Sequence, residues 1–454
     1  MSGALMMQHQ QGQTRIRVSF VNVLAGVGLL LVGAGAGLRA QTPIPGAGSL
    51  NLGQVYRAVE TVNPRIAAAG ALARAAGERI APARRPTDPQ LQFALMNRSL
   101  PGFGLSDPLG MNQVQLMQML PFPGKLRMAG EAASARAEAE QSRASDVSWD
   151  VRARAAMAFY ELYQMDRSLQ VADETLRILR DLAATARTMY VVGEGRQADV
   201  LRAQVEIARM SEDITRMGAE RVAAAARLNA LLVADPSALV GSPVRPPFPD
   251  SLPPLDSLIA AAERNRPMLQ AAEAEVRAAD AGARLARREI WPDLQLGVQY
   301  GQRPMDGETD RMLSLMFGVN VPIFAGSRQF AMRREAAAMR EMAVADLDAM
   351  RAETRGRVAE LYASAERARR LGALYSETIL PQANTTVASA LAAYRTGSVD
   401  FMTLLDDQMT VNQYRQDLYA LDAERGQALA ELEMLLARPL FNPDDAVVAS
   451  GGSQ

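Results

Sequence analysis

At 454 residues, with 49 basic and 50 acidic side chains, the chain could hold two or three domains yet is almost neutral. Its basic residues gather in no strip, so it has no electrostatic footprint for nucleic acid. There is no cysteine and a single histidine, His9, which excludes a disulfide framework, thiolate metal sites and thiol nucleophiles.

Arg15 and Arg17 precede a mostly apolar run from Val18 to Val32, followed by small residues at Ala34-Gly-Ala36 and Leu38-Arg-Ala40. That order predicts a secretory signal peptide over residues 1–40, with a membrane anchor as the alternative. No other segment reaches the roughly 18 to 20 apolar residues of a transmembrane helix.

A first structural repeat is expected over 41–240. An alanine-rich helix from Leu50 to Ile80 is stopped by Pro82, Pro86 and Pro89. A β-hairpin follows over 90–120: Leu91, Phe93 and Leu95 share one face, and a second alternating run spans Gln113 to Leu120. Residues 125–190 contain no proline and predict a helix about 100 Å long at 1.5 Å per residue. Such a length needs a coiled-coil partner, and the return helix expected over 197–233 supplies one. Residues 241–254 read as a Pro/Ser linker.

A second repeat over 255–440 has the same plan. It comprises a helix from Leu255 to Glu289, a hairpin over 293–321, a long helix over 327–394 in which Pro381 predicts a kink, and a return helix over 399–437. Residues 441–454 are expected to form a disordered tail.

The two halves share sequence as well as plan. Tyr190-Val-Val-Gly193, Leu201-Arg-Ala-Gln204 and Leu228-Asn-Ala-Leu-Leu232 recur 204 residues later as Tyr394-Arg-Thr-Gly397, Leu405-Asp-Asp-Gln408 and Leu432-Glu-Met-Leu-Leu436. The return helices carry heptad rows: Val200, Ile207, Ile214, Arg221, Leu228 and Ala203, Met210, Met217, Ala224, Leu231. The later copies are Leu404, Val411, Leu418, Arg425, Leu432 and Asp407, Tyr414, Leu421, Ala428, Leu435. Arg221 and Arg425 interrupt the seam and are expected to snorkel at its rim.

The fold class is therefore mainly α with a small β part: duplicated long-helix coiled-coil hairpins plus four strands. Four strands leave open edges, and three copies would supply the twelve strands of a closed barrel, the only β structure that spans lipid. In the third strand Leu294, Leu296, Val298 and Tyr300 would face lipid, and Gln295, Gly297 and Gln299 a wet lumen. Soluble amphipathic hairpins on a coiled-coil stalk satisfy the same periodicity.

The repeated plan, the junction Gln118-Met-Leu-Pro-Phe-Pro-Gly-Lys125 and the paired Tyr-x-x-Gly turns resemble the TolC-like outer-membrane efflux family, over about Leu50 to Leu440. The resemblance implies a homotrimer in outer-membrane lipid, with a twelve-stranded transmembrane β-barrel over a trimeric periplasmic α-barrel. It implies a passive exit duct for an inner-membrane efflux pump, coupled through a periplasmic adaptor (membrane fusion) protein. The turns Val192, Gly193, Glu194, Gly195 and Thr396, Gly397, Ser398, Val399 then form the periplasmic tip that meets the adaptor. The family's paired aperture carboxylates fall at Thr403 and Asp406. The first departs from the pattern and leaves a single acidic ring at Asp406, with Asp407 beside it. A closed-state latch maps to Asp199 and Tyr394.

No cofactor, metal site or enzymatic activity is expected: the only lysine, Lys125, sits at a strand-to-helix junction, and carboxylates are scattered among arginines. The Pro-Phe-Pro-Gly-Lys junction looks more like the metal-efflux branch, which makes a heavy-metal cation duct one alternative function. The 24 methionines are soft donors but are first read as gap-fillers. An exported coiled-coil structural protein without a pore is the other alternative.

Overall fold

A computed structural model describes residues 48–96, 110–305 and 308–444. The expected signal segment 1–40 lies outside the described residues, as does the tail beyond Asp444.

In chain order the described elements are β1 (Ser49–Asn51), α1 (Leu52–Val62), α2 (Pro64–Glu78), α3 (Ile80–Ala83), β2 (Gln90–Met96), β3 (Met111–Leu120), α4 (Lys125–Val191) and α5 (Gln197–Leu231). They continue as β4 (Ser242–Val244), α6 (Leu255–Asn265), α7 (Pro267–Arg288), β5 (Leu294–Met305), β6 (Glu308–Val319), α8 (Gln329–Leu374), a π-helical turn (Tyr375–Ile379), α9 (Leu380–Arg395) and α10 (Phe401–Leu436).

Both short helical arms depart from the single helices expected of them. The first breaks at Asn63, whose side chain accepts from Arg65 N while Pro64 opens α2. The second breaks at Arg266, with Pro267 opening α7. Proline has no N–H to give the preceding turn and biases the residue before it towards extended backbone, so each arm ends and restarts there. The two hairpins form one four-stranded antiparallel sheet of order β2-β3-β5-β6, in which they meet through β3 and β5. A separate two-stranded sheet ties the start of the first half to the linker: β1 and β4, three residues each, pair in parallel, Leu50 against Pro243.

Packing concentrates in three apolar layers. One gathers Leu52, Val55 and Val59 of α1 with Phe159, Tyr160 and Leu162 of α4 and Leu228 of α5. Gly426 of α10 belongs here by subtraction, since a Cβ at that position would overlap the ring of Tyr160. A second joins Leu179 and Leu182 of α4, Met210 and Met217 of α5, and Tyr394, Phe401 and Leu404. The third sets Leu258 of α6 and Leu361 of α8 against Leu429, Leu432 and Leu435 of α10.

The heptad rows are buried as their spacing predicts at Ala203, Met210, Ala224 and Leu228, and again at Leu404, Val411, Leu432 and Leu435. The seam arginines do not simply snorkel. Arg221 Nε bonds Asp166 and its Nη2 donates to Val240 O, whereas Arg425 Nη2 donates to Pro249 O and its guanidinium stands 5.1 Å from the Phe248 ring. Each holds one end of the linker against its own return helix.

Two further expectations change. At Pro381 the distortion takes the form of a π-helical turn, Tyr375–Ile379, that ends two residues before it. The chain from 441 is not a loose tail as far as Asp444: Phe441 packs on Phe248, Gly53 N donates to Pro443 O at 3.1 Å, and Arg57 pairs with Asp444 at 2.8 Å.

Where sheet meets helices, Lys125 is buried. Its Nζ donates to Asp293 Oδ1 (2.8 Å), Trp291 O (3.0 Å) and Glu289 Oε2 (3.3 Å). Asp293 Oδ1 also accepts from Phe122 N, and the Phe122 ring stacks on Trp291 at 5.2 Å. Gly124 adopts φ +94, a left-handed conformation, with the Arg288 guanidinium where a side chain would stand. All three donor protons of the lysine are committed, so its role is to fasten α4 to the α7–β5 junction.

Candidate functional site

The turns between long and return helices are built twice from one set of bonds. After α4, Glu194 N donates to Met189 O (2.9 Å) and Gly193 N to Tyr190 O (3.1 Å). After α9, Ser398 N donates to Ala393 O (2.9 Å) and Gly397 N to Tyr394 O (3.0 Å). Each is a Schellman cap, which needs a left-handed residue after the last helical one. Gly193 (φ +83) and Gly397 (φ +70) supply it.

Surface chemistry differs between the two. Val191 and Val192 are exposed at the first turn, and Gly195 is pressed against the Tyr190 backbone, where a Cβ would lie 2.8 Å from its nitrogen. The second turn is lined by hydroxyls: Thr396 Oγ1 lies 3.0 Å from Ser398 Oγ. Glu194, Thr396, Gly397 and Ser398 are exposed and Val399 is half-buried.

Thr403 and Asp406 lie exposed in the opening turns of α10, and Asp407 is half-buried. Asp199 and Tyr394 are both buried, at 7% and 5% exposure. Their side chains share no hydrogen bond, and the Tyr394 hydroxyl has no partner among the described residues. Burial raises the Tyr394 phenol above its ordinary range, and the nearby carboxylates of Asp199 and Asp400 raise it further. Phe401 underlies the ring, with centroids 5.4 Å apart.

Several contributors escaped the sequence reading. Asp400 caps α10 by accepting from Phe401 N at 3.0 Å, and an Asp before an apolar run was the available signal. A buried polar layer further up the hairpin, Thr175 Oγ1 with Asn412 Oδ1 at 3.0 Å, joins residues 237 apart and left no local trace.

The sheet has its own geometry. Across its strands, Leu91, Leu116, Val298 and Leu315 form one row and Phe93, Val114, Tyr300 and Leu313 the next. All eight are exposed, and Phe317 on the same face is 80% exposed. The opposite face carries the row Gln92, Gln115, Gln299 and Ser314. No helix packs on either face among the described residues. No described helix is long and apolar enough to cross a membrane.

An apolar sheet face without a helical cover, joined to duplicated helical hairpins, defines the class to which the sequence comparisons also lead. The chain matches the profile of the outer membrane efflux protein family over residues 55–233 and 258–438 and belongs to that family. The two matched blocks fall on the two repeats. Membership places the protein in the outer membrane, extending into the periplasm.

Among curated proteins it is 22% identical over 260 residues to the outer membrane efflux protein BepC of Brucella suis biovar 1 (strain 1330). That alignment takes in 56% of this chain and 56% of the relative, so the chain spans about half the length of the curated protein it matches. Its fold is that of CusC, whose crystal structures concern transmembrane channel formation (TM-score 0.75, 19% identity, 86% of this chain and 92% of that one). A membrane protein from Pseudomonas aeruginosa (0.74, 22%, 85% and 93%) and the outer membrane protein VceC of Vibrio cholerae (0.73, 16%, 86% and 97%) share it.

Proposed function

We propose that three copies of this chain close into a twelve-stranded transmembrane barrel continued by a periplasmic helical cylinder, and that the assembly is the passive exit duct of a tripartite efflux system. The observation that carries this is the bare sheet. Among the described residues it exposes a broad apolar face, leaves β2 and β6 as unpaired edges, and receives no helix on either side. Lipid on one face and copies at both edges satisfy it, because an open edge inside a bilayer strands its backbone groups.

Energy for export comes from an inner-membrane pump, and a periplasmic adaptor grips the tip. The contacts are Val192, Gly193, Glu194 and Gly195 on one turn and Thr396, Gly397, Ser398 and Val399 on the other. Asp406, with Asp407 beside it, rings the aperture, while Thr403 contributes no charge. Asp199 and Tyr394 hold the tip shut. The buried phenol, without an acceptor among the described residues and set beside a buried carboxylate, supports that role: a small shift of the hairpin completes a bond that desolvation strengthens.

Purified mature protein in detergent should be a heat-modifiable trimer giving small, long-lived openings in a planar bilayer. Asp199→Ala and Tyr394→Phe should each raise the current. Unchanged conductance in both variants would sink the latch, and a water-soluble, non-conducting species would sink the duct.

A further inference from the structure

Directly after β6, whose Phe317 and Val319 stand on the bare apolar face, come Val321, Ile323 and Phe324, exposed at 64%, 78% and 70%. With Trp291 they form the apolar lip of a cavity of about 470 Å³ where the sheet meets the helices. The rest of its wall is polar. Lys125 spends its three donor protons on Glu289 Oε2, Trp291 O and Asp293 Oδ1. The other oxygen of Glu289 accepts nothing among the described residues, and this side chain is 35% exposed. Gln329 Oε1 is shut off from solvent and has no donor among the described residues. Arg328 beside it is exposed and meets no carboxylate among the described residues.

Two acceptors without donors and one cation without an anion surround this one cavity. A shielded amide oxygen left without a donor costs about 1–3 kcal/mol, so the cavity fits a ligand that carries N–H groups. We propose that it holds the headgroup of a phospholipid with a primary ammonium. The phosphate meets Arg328, the ammonium sits between Gln329 Oε1 and Glu289, and the acyl chains run over Val321, Ile323 and Phe324. The inference rests on the reading of the bare sheet face as the lipid-facing one, which this lip continues.

The lining selects among headgroups. Lys125 and Arg328 balance Glu289 and Asp293, so the cavity is neutral overall and matches a zwitterion. A glycerol headgroup brings net negative charge towards both carboxylates and no ammonium for them. A choline headgroup keeps the phosphate and the tails, but its quaternary nitrogen has no proton to donate. Clefts for small ligands run to about 300–1,000 Å³, so the volume admits a headgroup while the tails stay outside. Tryptophan at the mouth suits a membrane–water boundary, where the ring is covered and its N–H stays wet. A second copy pairing along the open edge of β6 is the competing cover for the lip.

The test uses the intact trimer in detergent, stripped of lipid and titrated with short-chain phosphatidylethanolamine or phosphatidylcholine, with binding counted by native mass spectrometry. Bilayer conductance is recorded on the same preparation. The ethanolamine lipid should load to one molecule per chain, well ahead of the choline lipid. Arg328→Gln should weaken both lipids by about tenfold, the loss of a hydrogen bond to a charged group, whereas Gln329→Leu should erase the preference between them. Arg333→Gln, outside the cavity, should change neither. In native membranes, p-benzoylphenylalanine in place of Ile323 should cross-link to phospholipid. Cross-linking to a neighbouring chain instead, or equal binding of the two lipids by a conducting wild-type trimer, overturns the site alone. A non-conducting, water-soluble chain overturns the lipid-face reading beneath it.

Discussion

Glu433 lies in the last turns of α10, at 2% exposure, and accepts a hydrogen bond from Leu440 N at 2.7 Å. Burial pushes its carboxyl up to about 7, an effect only partly offset by the bonds from Leu440 and Phe441 and by the Arg152 guanidinium. Arg152 itself stands over the Tyr56 ring at 3.8 Å and pairs with Glu60 at 3.4 Å, so little of its charge is spare. The folded state therefore binds this proton more tightly than the unfolded chain does. Its contribution is complete below the ordinary carboxyl range, near 4.5, and is lost as pH rises through about 7. Glu433→Gln keeps the acceptor for Leu440 and removes the charge. Thermal melts followed by circular dichroism should show the variant matching wild type at pH 4.5 and exceeding it at pH 8. The gain should approach about 3 kcal/mol, from roughly 1.4 kcal/mol per pKa unit. Equal melting curves at pH 8 would show that the carboxylate finds solvent there. Residue-level features of this kind were the least legible in the sequence. Lys125 and Asp293, or Arg425 and Pro249, are remote in the chain, and no local pattern announces that they meet.

At the scale of elements, periodicity carried most of the reading. Strict alternation set the two faces of β5, and the left-handed glycines of both turns could be located from Tyr-x-x-Gly alone. The misses have physical causes. Alanine-rich flanks concealed the restarts at Pro64 and Pro267, and three-residue strands such as β1 are too short to show a period. Pro381 was visible, but its accommodation was not. A widened turn lets the helix pass a residue that offers no N–H and crowds the carbonyl four positions back. The equivalent stretch of α4 is uninterrupted, so the two hairpins differ in helical geometry while sharing their caps. Beside the wide turn, the Tyr375 ring meets Tyr414 edge-on at 5.7 Å, and its hydroxyl reaches Asp417 at 3.5 Å. Pro381→Ala should relieve the need for the wide turn and slow amide exchange across residues 375–381 relative to wild type. Exchange as fast as wild type would assign the turn to tertiary packing instead.

For the whole molecule, the sidedness of the sheet gives the sharpest expectation. A cationic side chain costs about 2–4 kcal/mol at the lipid-facing midplane of a barrel and far less near its edges or in its lumen. Leu315→Arg, nearer the middle of β6 on the bare apolar face, should abolish heat-resistant trimers in outer-membrane extracts. Ser314→Arg, one residue earlier and on the opposite face, should leave them at wild-type abundance. Equal effects of the two substitutions would mean that the faces are not partitioned between lipid and water.

The matching caps at Gly193 and Gly397 also constrain how such a chain can change over time. Each residue inserted into an α-helix turns everything beyond it by about 100° and advances it by about 1.5 Å. Because the blocks from either cap to the end of its return helix keep one spacing, both hairpins have held the same phase since they were copied. A single-residue insertion in either return helix would rotate its tip by about 100° out of step with its twin, so change in the length of α5 or α10 is expected in whole heptads. The pair of return helices acts as a vernier on itself, while the outgoing shaft of the second half holds a wide turn that its twin lacks.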